Sequence, residues 1–190
     1  MTTDRATADA DDRARYERVF AATHRRVLAY VVRRVSDPSD AVDIVADTYL
    51  VAWRRVADLP DDEQSVAWLL AVARRCLANH RRSHTRRVAL TDRLAASLEA
   101  IVPPPGEPKE LSDVHRALSR LEPEDLELLR LLEWDGLDRA EIATVLGISR
   151  NAVRVRLHRA RRRFANALAS EQPPQPHPRV AAPAYSREGS

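Results

Sequence analysis

Apolar side chains recur along most of the chain at intervals of three and four residues, the period of an amphipathic α-helix. The first such segment predicts a helix from about Arg13 to Val35, after a polar tail over residues 1–14 that we expect to be disordered. Pro38 ends this segment, because proline cannot continue a helix and biases the preceding residue away from helical angles. The expected buried stripe comprises Tyr16, Phe20, Thr23, Val27, Tyr30 and Val31.

Two more helices are predicted before residue 88. One begins near Ser39 or Asp40, either of which is a good N-cap, and runs to about Val56. Its expected buried residues are Val42, Val45, Tyr49, Ala52 and Trp53. After a turn at residues 59–62, the other begins near Ser65 and becomes almost purely basic beyond its apolar half. The apolar half should bury Val66, Leu69, Leu70, Val72, Ala73 and Leu77.

Prolines divide the chain into two units. Three consecutive prolines at 103–105, followed by Gly106 and Pro108, cannot lie inside a packed helix and predict a stiff linker. The expected fold is all-α: two small helical domains joined by this Pro-rich linker, the second containing a helix-turn-helix. The expected boundaries are 15–88 for the first domain, 89–110 for the linker, 111–168 for the second domain and 169–190 for a disordered tail.

The second unit opens with two predicted helices. One runs from Ser112 to about Leu121, and the other starts at Pro123, a favoured first-turn residue, and ends at Gly136. The second of them should bury Leu126, Leu129 and Leu132.

The most informative stretch of the chain follows, at residues 138–164. Asp138 and Glu141 form a capping-box pattern, Gly147 suits a turn, and Ser149 can cap the next helix. In that helix one stripe is formed by Val153, Leu157, Ala160 and Phe164. Two short helices joined in this way predict a helix-turn-helix.

Composition narrows the class of protein. With 44% hydrophobic residues, 31% charged residues and only 4 glycines, the chain is typical of a soluble helical protein. Its longest uncharged apolar stretch, residues 65–73, is about half of what a bilayer span needs, so no membrane insertion is expected. The N-terminus has no apolar signal region and there is 1 cysteine, so we expect a reducing, cytoplasmic location.

The charges are arranged in alternating blocks. Residues 74–87 hold six arginines and residues 149–170 hold seven, with no acid in either, whereas 40–63 and 107–148 are acidic. Basic helices suit phosphate backbones, so the blocks indicate two kinds of partner, although solvated helix faces would give the same pattern.

The exposed face of the last helix is suited to the major groove. Arginine can pair with guanine and Asn151 with adenine, while Val155 is either an ordinary surface valine or a contact for a thymine methyl group.

No pattern of catalytic or metal-binding residues occurs in the chain. His80 and His84 are four residues apart, but no acid lies between residues 74 and 87 to complete a metal site. We therefore expect no enzyme activity, metal or cofactor, and Cys76 is interpreted as packing rather than as a redox sensor.

Three stretches together resemble an RNA polymerase sigma factor of the sigma-70 family and extracytoplasmic-function type. SDAVDIVADTYLVAW is similar to the family's polymerase-docking helix, and SVAWLLAVARRCLANHRRSHTRR to its promoter-melting helix. LEPEDLELLRLLEWDGLDRAEIATVLGISRNAVRVRLHRARRRF resembles its C-terminal helix-turn-helix domain. The ordered set covers about residues 15–168 and is far more specific than the helix-turn-helix alone.

The resemblance implies a role for each surface. Core RNA polymerase would be bound at its clamp by Asp40, Asp43 and Asp47 and at its flap by Leu126 and Leu129. The minus-ten element would be held by Arg74, Arg75, Asn79, Arg81, Arg82, Arg86 and Arg87. The minus-thirty-five major groove would be read by Arg150, Asn151, Arg154, Val155, His158, Arg159, Arg161 and Arg162. An anti-sigma factor is a further expected partner.

Linker length restricts this arrangement. Residues 89–110 would span roughly 26 Å as a coil and about 68 Å as polyproline. Elements about 25 base pairs apart are separated by roughly 85 Å. The linker must therefore be extended when both elements are bound.

Two other functions fit parts of the pattern. An autonomous helix-turn-helix repressor would form dimers and bind one operator without polymerase. A protein-interaction adaptor would bind DNA weakly and without the steep salt dependence of phosphate contacts.

Overall fold

The computed structural model describes residues 2–60, 64–91 and 109–171, and every regular element in these ranges is helical. Seven α-helices follow one another: α1 (Thr2–Val32), α2 (Pro38–Arg54), α3 (Gln64–Thr91), α4 (Lys109–Ser119), α5 (Pro123–Glu133), α6 (Arg139–Leu146) and α7 (Arg150–Glu171), with a 3-10 turn at Val56–Asp58 between α2 and α3. The all-α prediction is confirmed. None of the helices in the described ranges is long and apolar enough to cross a bilayer.

Helix boundaries differ from the predictions where side chains gave weak signals. α1 begins at Thr2, so residues 2–12, which we expected in a disordered tail, are helical. No glycine or proline interrupts residues 2–35, and alanine and arginine favour helix. α2 begins at Pro38 rather than near Ser39 or Asp40, because Asp37 is its cap and accepts a 2.8 Å hydrogen bond from the Ser39 amide.

Helix extends into the segments that we expected to be a linker and a disordered tail. α3 continues to Thr91 and α4 starts at Lys109, so helix occupies both ends of the segment assigned to the linker at 89–110. The remaining residues, 92–108, lie outside the described ranges, as do 61–63 of the predicted turn. α7 extends to Glu171, and the rest of the expected Pro-rich tail, 172–190, also lies outside them.

The first unit is formed by α1, α2 and α3, which pack against one another. All the residues predicted to be buried in the apolar half of α3 are buried. In α2 the prediction is partly wrong: Val42 is 65% exposed and Trp53 is 44% exposed. The helix has apolar side chains on more than one face, and packing buries Ala41, Ile44, Val45, Thr48, Tyr49 and Ala52. In α1, Phe20 is 38% exposed while the neighbouring Val19 is buried.

The second unit is formed by α4, α5, α6 and α7, with α7 packed against each of the others. In α5 the predicted stripe is displaced: Leu128 and Leu131 are buried with Leu129, while Leu126 and Leu132 are half-buried. In α7 the predicted stripe is confirmed at Val153, Leu157 and Ala160, whereas Phe164 is half-buried.

The two units share one hydrophobic core. α3 packs along α6, and one continuous cluster includes Val27, Tyr30 and Leu70 from the first unit with Leu131 and Ile142 from the second. A polar cleft of ≈ 1200 Å³ lies beside this contact, with Trp68 and Arg26 on one side and Arg150 on the other. The N-terminus of α7 therefore faces the first unit.

Candidate nucleic-acid interface and docking surface

Local hydrogen bonds build the helix-turn-helix as the sequence predicted. Asp138 Oδ1 accepts from the Ala140 amide at 2.6 Å and from the Glu141 amide at 2.8 Å, and the Glu141 carboxylate accepts from the Asp138 amide at 2.7 Å. Gly147 ends α6 in the left-handed region, with φ 66°, where a side chain would be strained. Ser149 Oγ accepts from the Ala152 amide at 3.1 Å and so caps α7.

Most of the residues predicted to read the minus-thirty-five element are exposed along one helix. Val155 is half-buried, while the other seven (Arg150, Asn151, Arg154, His158, Arg159, Arg161 and Arg162) are exposed. Arg154 donates to Asn151 Oδ1 at 3.1 Å, so these two side chains are oriented together one turn apart. Arg161 also forms an exposed ion pair with Glu133 at 3.1 Å. Buried Val153 and Leu157 hold the opposite side of α7 against its own unit.

The residues predicted to hold the minus-ten element occupy the basic half of α3. The exposed residues are Arg74, Arg75, Asn79, Arg81 and Arg82. Arg82 donates to Asn79 Oδ1 at 2.5 Å, which repeats the asparagine–arginine pair of α7. Arg86 and Arg87 lie within the helix, but their side chains are outside the described part of the chain.

α2 presents acidic residues on its outer side. Asp43 and Asp47 are exposed, whereas Asp40 is half-buried and lies 3.2 Å from His80 Nε2 of α3. On the second unit, Leu126 is half-buried and Leu129 is only 5% exposed. Leu129 therefore offers little surface to a partner in this structure.

An exposed apolar patch between α1 and α2 was missed by the sequence analysis. It consists of Tyr16, Phe20, Val42, Leu50 and Trp53, around a groove of ≈ 510 Å³. The rings of Tyr16 and Trp53 pack edge to face with their centroids 5.2 Å apart, and Tyr16 stacks on Phe20. The signal was present in α2, whose apolar residues at 42, 46, 50 and 53 form a stripe beside the one that is buried.

The floor of this apolar patch is hydrogen-bonded to the core. Tyr49 lies beneath it, with its ring 4.7 Å from that of Phe20 and its hydroxyl 2.8 Å from Thr23 Oγ1 in the core. Burial raises the pKa of Tyr49 to about 12, so the hydroxyl stays protonated at neutral pH. Asp43 and Asp47 follow Val42 and Ala46 in sequence, so an acidic edge borders the apolar patch.

The described part of the chain is helical, with two arginine-rich helices and a separate apolar surface bordered by acidic residues. Family models agree with it: sigma-70 region 2 matches residues 19–87, and sigma-70 region 4 matches residues 111–164. The relatives include the RNA polymerase sigma factor NccH of Alcaligenes xylosoxydans xylosoxydans, 32% identical over 78% of this chain and 84% of that protein. Another is the extracytoplasmic-function sigma factor SigF of Caulobacter vibrioides, 33% identical over 83% and 87%.

Solved structures are similar in fold. The sigma factor RpoE of Bartonella quintana, in complex with the anti-sigma factor NepR, has a TM-score of 0.57 and 24% identity, covering 85% of this chain and 99% of that one. CnrH, in complex with the cytosolic domain of CnrY, also has a TM-score of 0.57, with 21% identity, 88% of this chain and 96% of that one.

The chain belongs to the sigma-70 family of RNA polymerase sigma factors, and its relatives place it in the extracytoplasmic-function type. It is a transcription initiation factor that binds core RNA polymerase and directs initiation at promoters with minus-ten and minus-thirty-five elements. Nothing in these matches supports the autonomous repressor.

Proposed function

We propose that α7 reads the minus-thirty-five element as a duplex and that the basic half of α3 holds the minus-ten element. The observation that carries this proposal is the exposure of the arginines of both helices, while Val153 and Leu157 of α7 and Ala73 and Leu77 of α3 are packed into the protein. Arg154 and Asn151 would contact base edges, and Val155 a thymine methyl group. The arginines of α3 would bind phosphates, and Asn79 would contact a base extruded from the opened strand.

The apolar patch and its acidic edge are the proposed main contact with the polymerase clamp. An exposed cluster of large apolar side chains bordered by Asp43 and Asp47 suits a helix that carries apolar and basic residues. Leu126 and Leu129 of α5 would contact the flap. Leu129 can do so only if the packing around α5 changes, because it is buried here.

We also propose an anti-sigma factor as a protein partner, and a cytoplasmic location where core polymerase and the chromosome meet. The anti-sigma partner is supported by two solved structures of similar fold. In one, a sigma factor is bound to the anti-sigma factor NepR, and in the other CnrH is bound to the cytosolic domain of CnrY.

Run-off transcription with purified core polymerase on a genomic fragment pool tests the division of labour. Arg154→Ala and Asp43→Ala should each abolish initiation. Arg18→Ala, at an exposed arginine of α1, is the matched control and should initiate normally. Promoter DNA binding by the holoenzyme should fall for Arg154→Ala, whereas binding to core polymerase should fall for Asp43→Ala. Full initiation by either variant would contradict its assigned role.

A further inference from the structure

Polar side chains continue the contact between α2 and α3 beyond its apolar part. The Cys76 thiol of α3 lies within hydrogen-bonding reach of the Thr48 hydroxyl of α2. One helical turn later on α3, His80 Nε2 lies 3.2 Å from Asp40 Oδ1, which is earlier on α2 than Thr48. The two helices therefore run in opposite directions here, and the contact of His80 with Asp40 lies toward the basic end of α3.

His80 lies on the face of α3 that packs into the first unit. Ala73 and Leu77 are buried, and His80 follows them at seven and three residues, the spacing of side chains on one face of a helix. Beyond Leu77 no described side chain of α3 is buried, and the described side chains end at residue 83. The contact with Asp40 therefore holds α3 against α2 one turn beyond the end of its apolar packing.

The proposed DNA-binding residues lie on the other side of the same part of α3. Arg75, Asn79 and Arg82 are exposed and are spaced by four and three residues, so they share one face. His80 has only 29% of its side chain exposed and lies behind that face. A side chain in this position can orient the helix without reaching the DNA.

Asp40 differs from the other acids of α2 in its surroundings. Its side chain is 31% exposed and contacts α3, whereas Asp43 and Asp47 are exposed on the outer side of α2. At 3.2 Å the imidazole of His80 is close enough to donate to the Asp40 carboxylate, which it can do in its neutral as well as its charged form. The partner of Asp40 in this structure is therefore the proposed minus-ten helix.

The charge of Asp40 by itself opposes DNA binding. A carboxylate beside arginines that bind phosphates repels the DNA backbone, so electrostatics alone predict that its removal strengthens DNA binding. A positioning role predicts the reverse, because a loosely held basic half of α3 must be ordered when it binds, and that ordering weakens binding. The sign of the effect therefore separates the two roles.

We infer that Asp40 is a positioning residue for minus-ten binding, which acts through His80 to hold the basic half of α3 in place. It is not a contact of the polymerase clamp, the role that the family resemblance implies for it. This inference rests on the proposed function, since it is that function which assigns the minus-ten element to α3.

The main test measures the binding of Asp40→Ala in the full chain, alone and assembled with core polymerase. The Kd of the holoenzyme for a fork DNA that carries only the minus-ten strand should rise roughly twofold to tenfold, because one polar contact is lost. The Kd for core polymerase and the Kd of the holoenzyme for a minus-thirty-five duplex should not change. Asp43→Ala, at an exposed acid one turn along α2, should instead weaken binding to core polymerase. Unchanged or stronger fork binding by Asp40→Ala, or weaker binding to core polymerase, would overturn the inference.

A conservative variant separates the contact from the charge. Asp40→Asn has the same charge as Asp40→Ala but keeps an oxygen that can accept from His80, so it should recover much of the lost affinity for fork DNA. If Asp40→Asn binds fork DNA as weakly as Asp40→Ala, the contact does not position α3 and the inference is wrong. Glu17→Ala, at an exposed acid of α1, is the matched control and should bind both DNAs and core polymerase normally.

A double-mutant cycle tests whether Asp40 acts through His80. His80→Ala should weaken fork binding about as much as Asp40→Ala does, and the double variant should bind no more weakly than either. Additive losses would mean that the two side chains act independently, contrary to the inference. The salt dependence of fork binding should keep its slope in His80→Ala, because a positioning residue contacts no phosphate. A slope smaller by about one would make His80 a DNA contact and would also overturn the inference.

Arg75→Ala distinguishes failure of this inference from failure of the proposed function. Arg75 is exposed on the proposed DNA-binding face, so its loss should weaken binding to the same fork DNA. If Arg75→Ala weakens fork binding while Asp40→Ala and His80→Ala do not, only the positioning role is overturned. If none of the three variants changes fork binding, the proposed function of α3 is wrong and the inference fails with it.

Discussion

The two arginine-rich helices are supported by the fold in different ways. Along α7 the buried residues Val153, Leu157 and Ala160 lie behind the exposed arginines, so the face proposed to read DNA is backed over most of its length. Among the described side chains of α3, which end at residue 83, the last buried one is Leu77, and the exposed Arg81 and Arg82 come after it. A helix that is packed behind its exposed face is suited to a fixed duplex groove, whereas one with fewer buried residues behind its arginines is suited to a strand that is being opened.

The largest effect should come from the cores behind the two helices. Leu157→Ala and Leu77→Ala remove side chains that are each 3% exposed, so each should lower the free energy of unfolding by about 2–5 kcal/mol. Since the units share one core, urea denaturation followed by circular dichroism should show a single transition in both variants. Leu50→Ala, at a residue 45% exposed, is the matched control and should change stability little. Two separate transitions would mean that the units fold independently.

A smaller and more selective effect is expected at the two asparagines. Asn151→Ala should weaken holoenzyme binding to a minus-thirty-five duplex by about 1–3 kcal/mol, because a base-edge contact is lost. Asn79→Ala should weaken binding to a fork DNA that carries only the minus-ten strand by roughly twofold to tenfold. Fluorescence anisotropy on both DNAs measures each effect.

Asn166→Ala, at an exposed asparagine farther along α7, is the matched control for both substitutions and should bind both DNAs normally. If Asn79→Ala and Asn151→Ala weaken both DNAs equally, the assigned difference between α3 and α7 is wrong.

The smallest effect concerns the junction between the buried and basic halves of α3. Burial raises the pKa of the Cys76 thiol, so less thiolate is present at neutral pH than in an unfolded chain. Reaction with Ellman's reagent should be about tenfold slower in the native protein than in urea, and should accelerate only above the ordinary thiol pKa of about 8.5. Rapid reaction at neutral pH would show that this part of α3 is open, and would revive the redox-sensor interpretation.

Local signals made the helix-turn-helix predictable. Asp138, Glu141, Gly147 and Ser149 act on backbone groups within about three residues of themselves, so their roles are encoded in the order of side chains. The buried residues of the apolar half of α3 were also predictable, because the spacing of its apolar residues allows only one buried face. The start of α1 was missed, because no strong cap marks it and alanine-rich polar sequence is compatible with helix as well as with disorder.

When a helix has more than one apolar face, the spacing of its apolar residues does not determine which face is buried. α2 could bury the stripe that contains Val42 and Trp53 or the one that contains Ile44 and Thr48, and both obey helical spacing. Packing against α1 and α3 selects the second, which leaves the first as the apolar patch.

The sequence by itself determined the all-α class, the helix-turn-helix and the two basic helices, because caps, proline breaks and helical periodicity act over a few residues. Only the tertiary structure decided which apolar face stays exposed and that Arg34 meets Glu127 and Asp135. Those partners are separated by 93 and 101 positions, and their pairing depends on how the two units pack. Contacts over such separations arise from the sum of many packing interactions, which no local pattern of residues records.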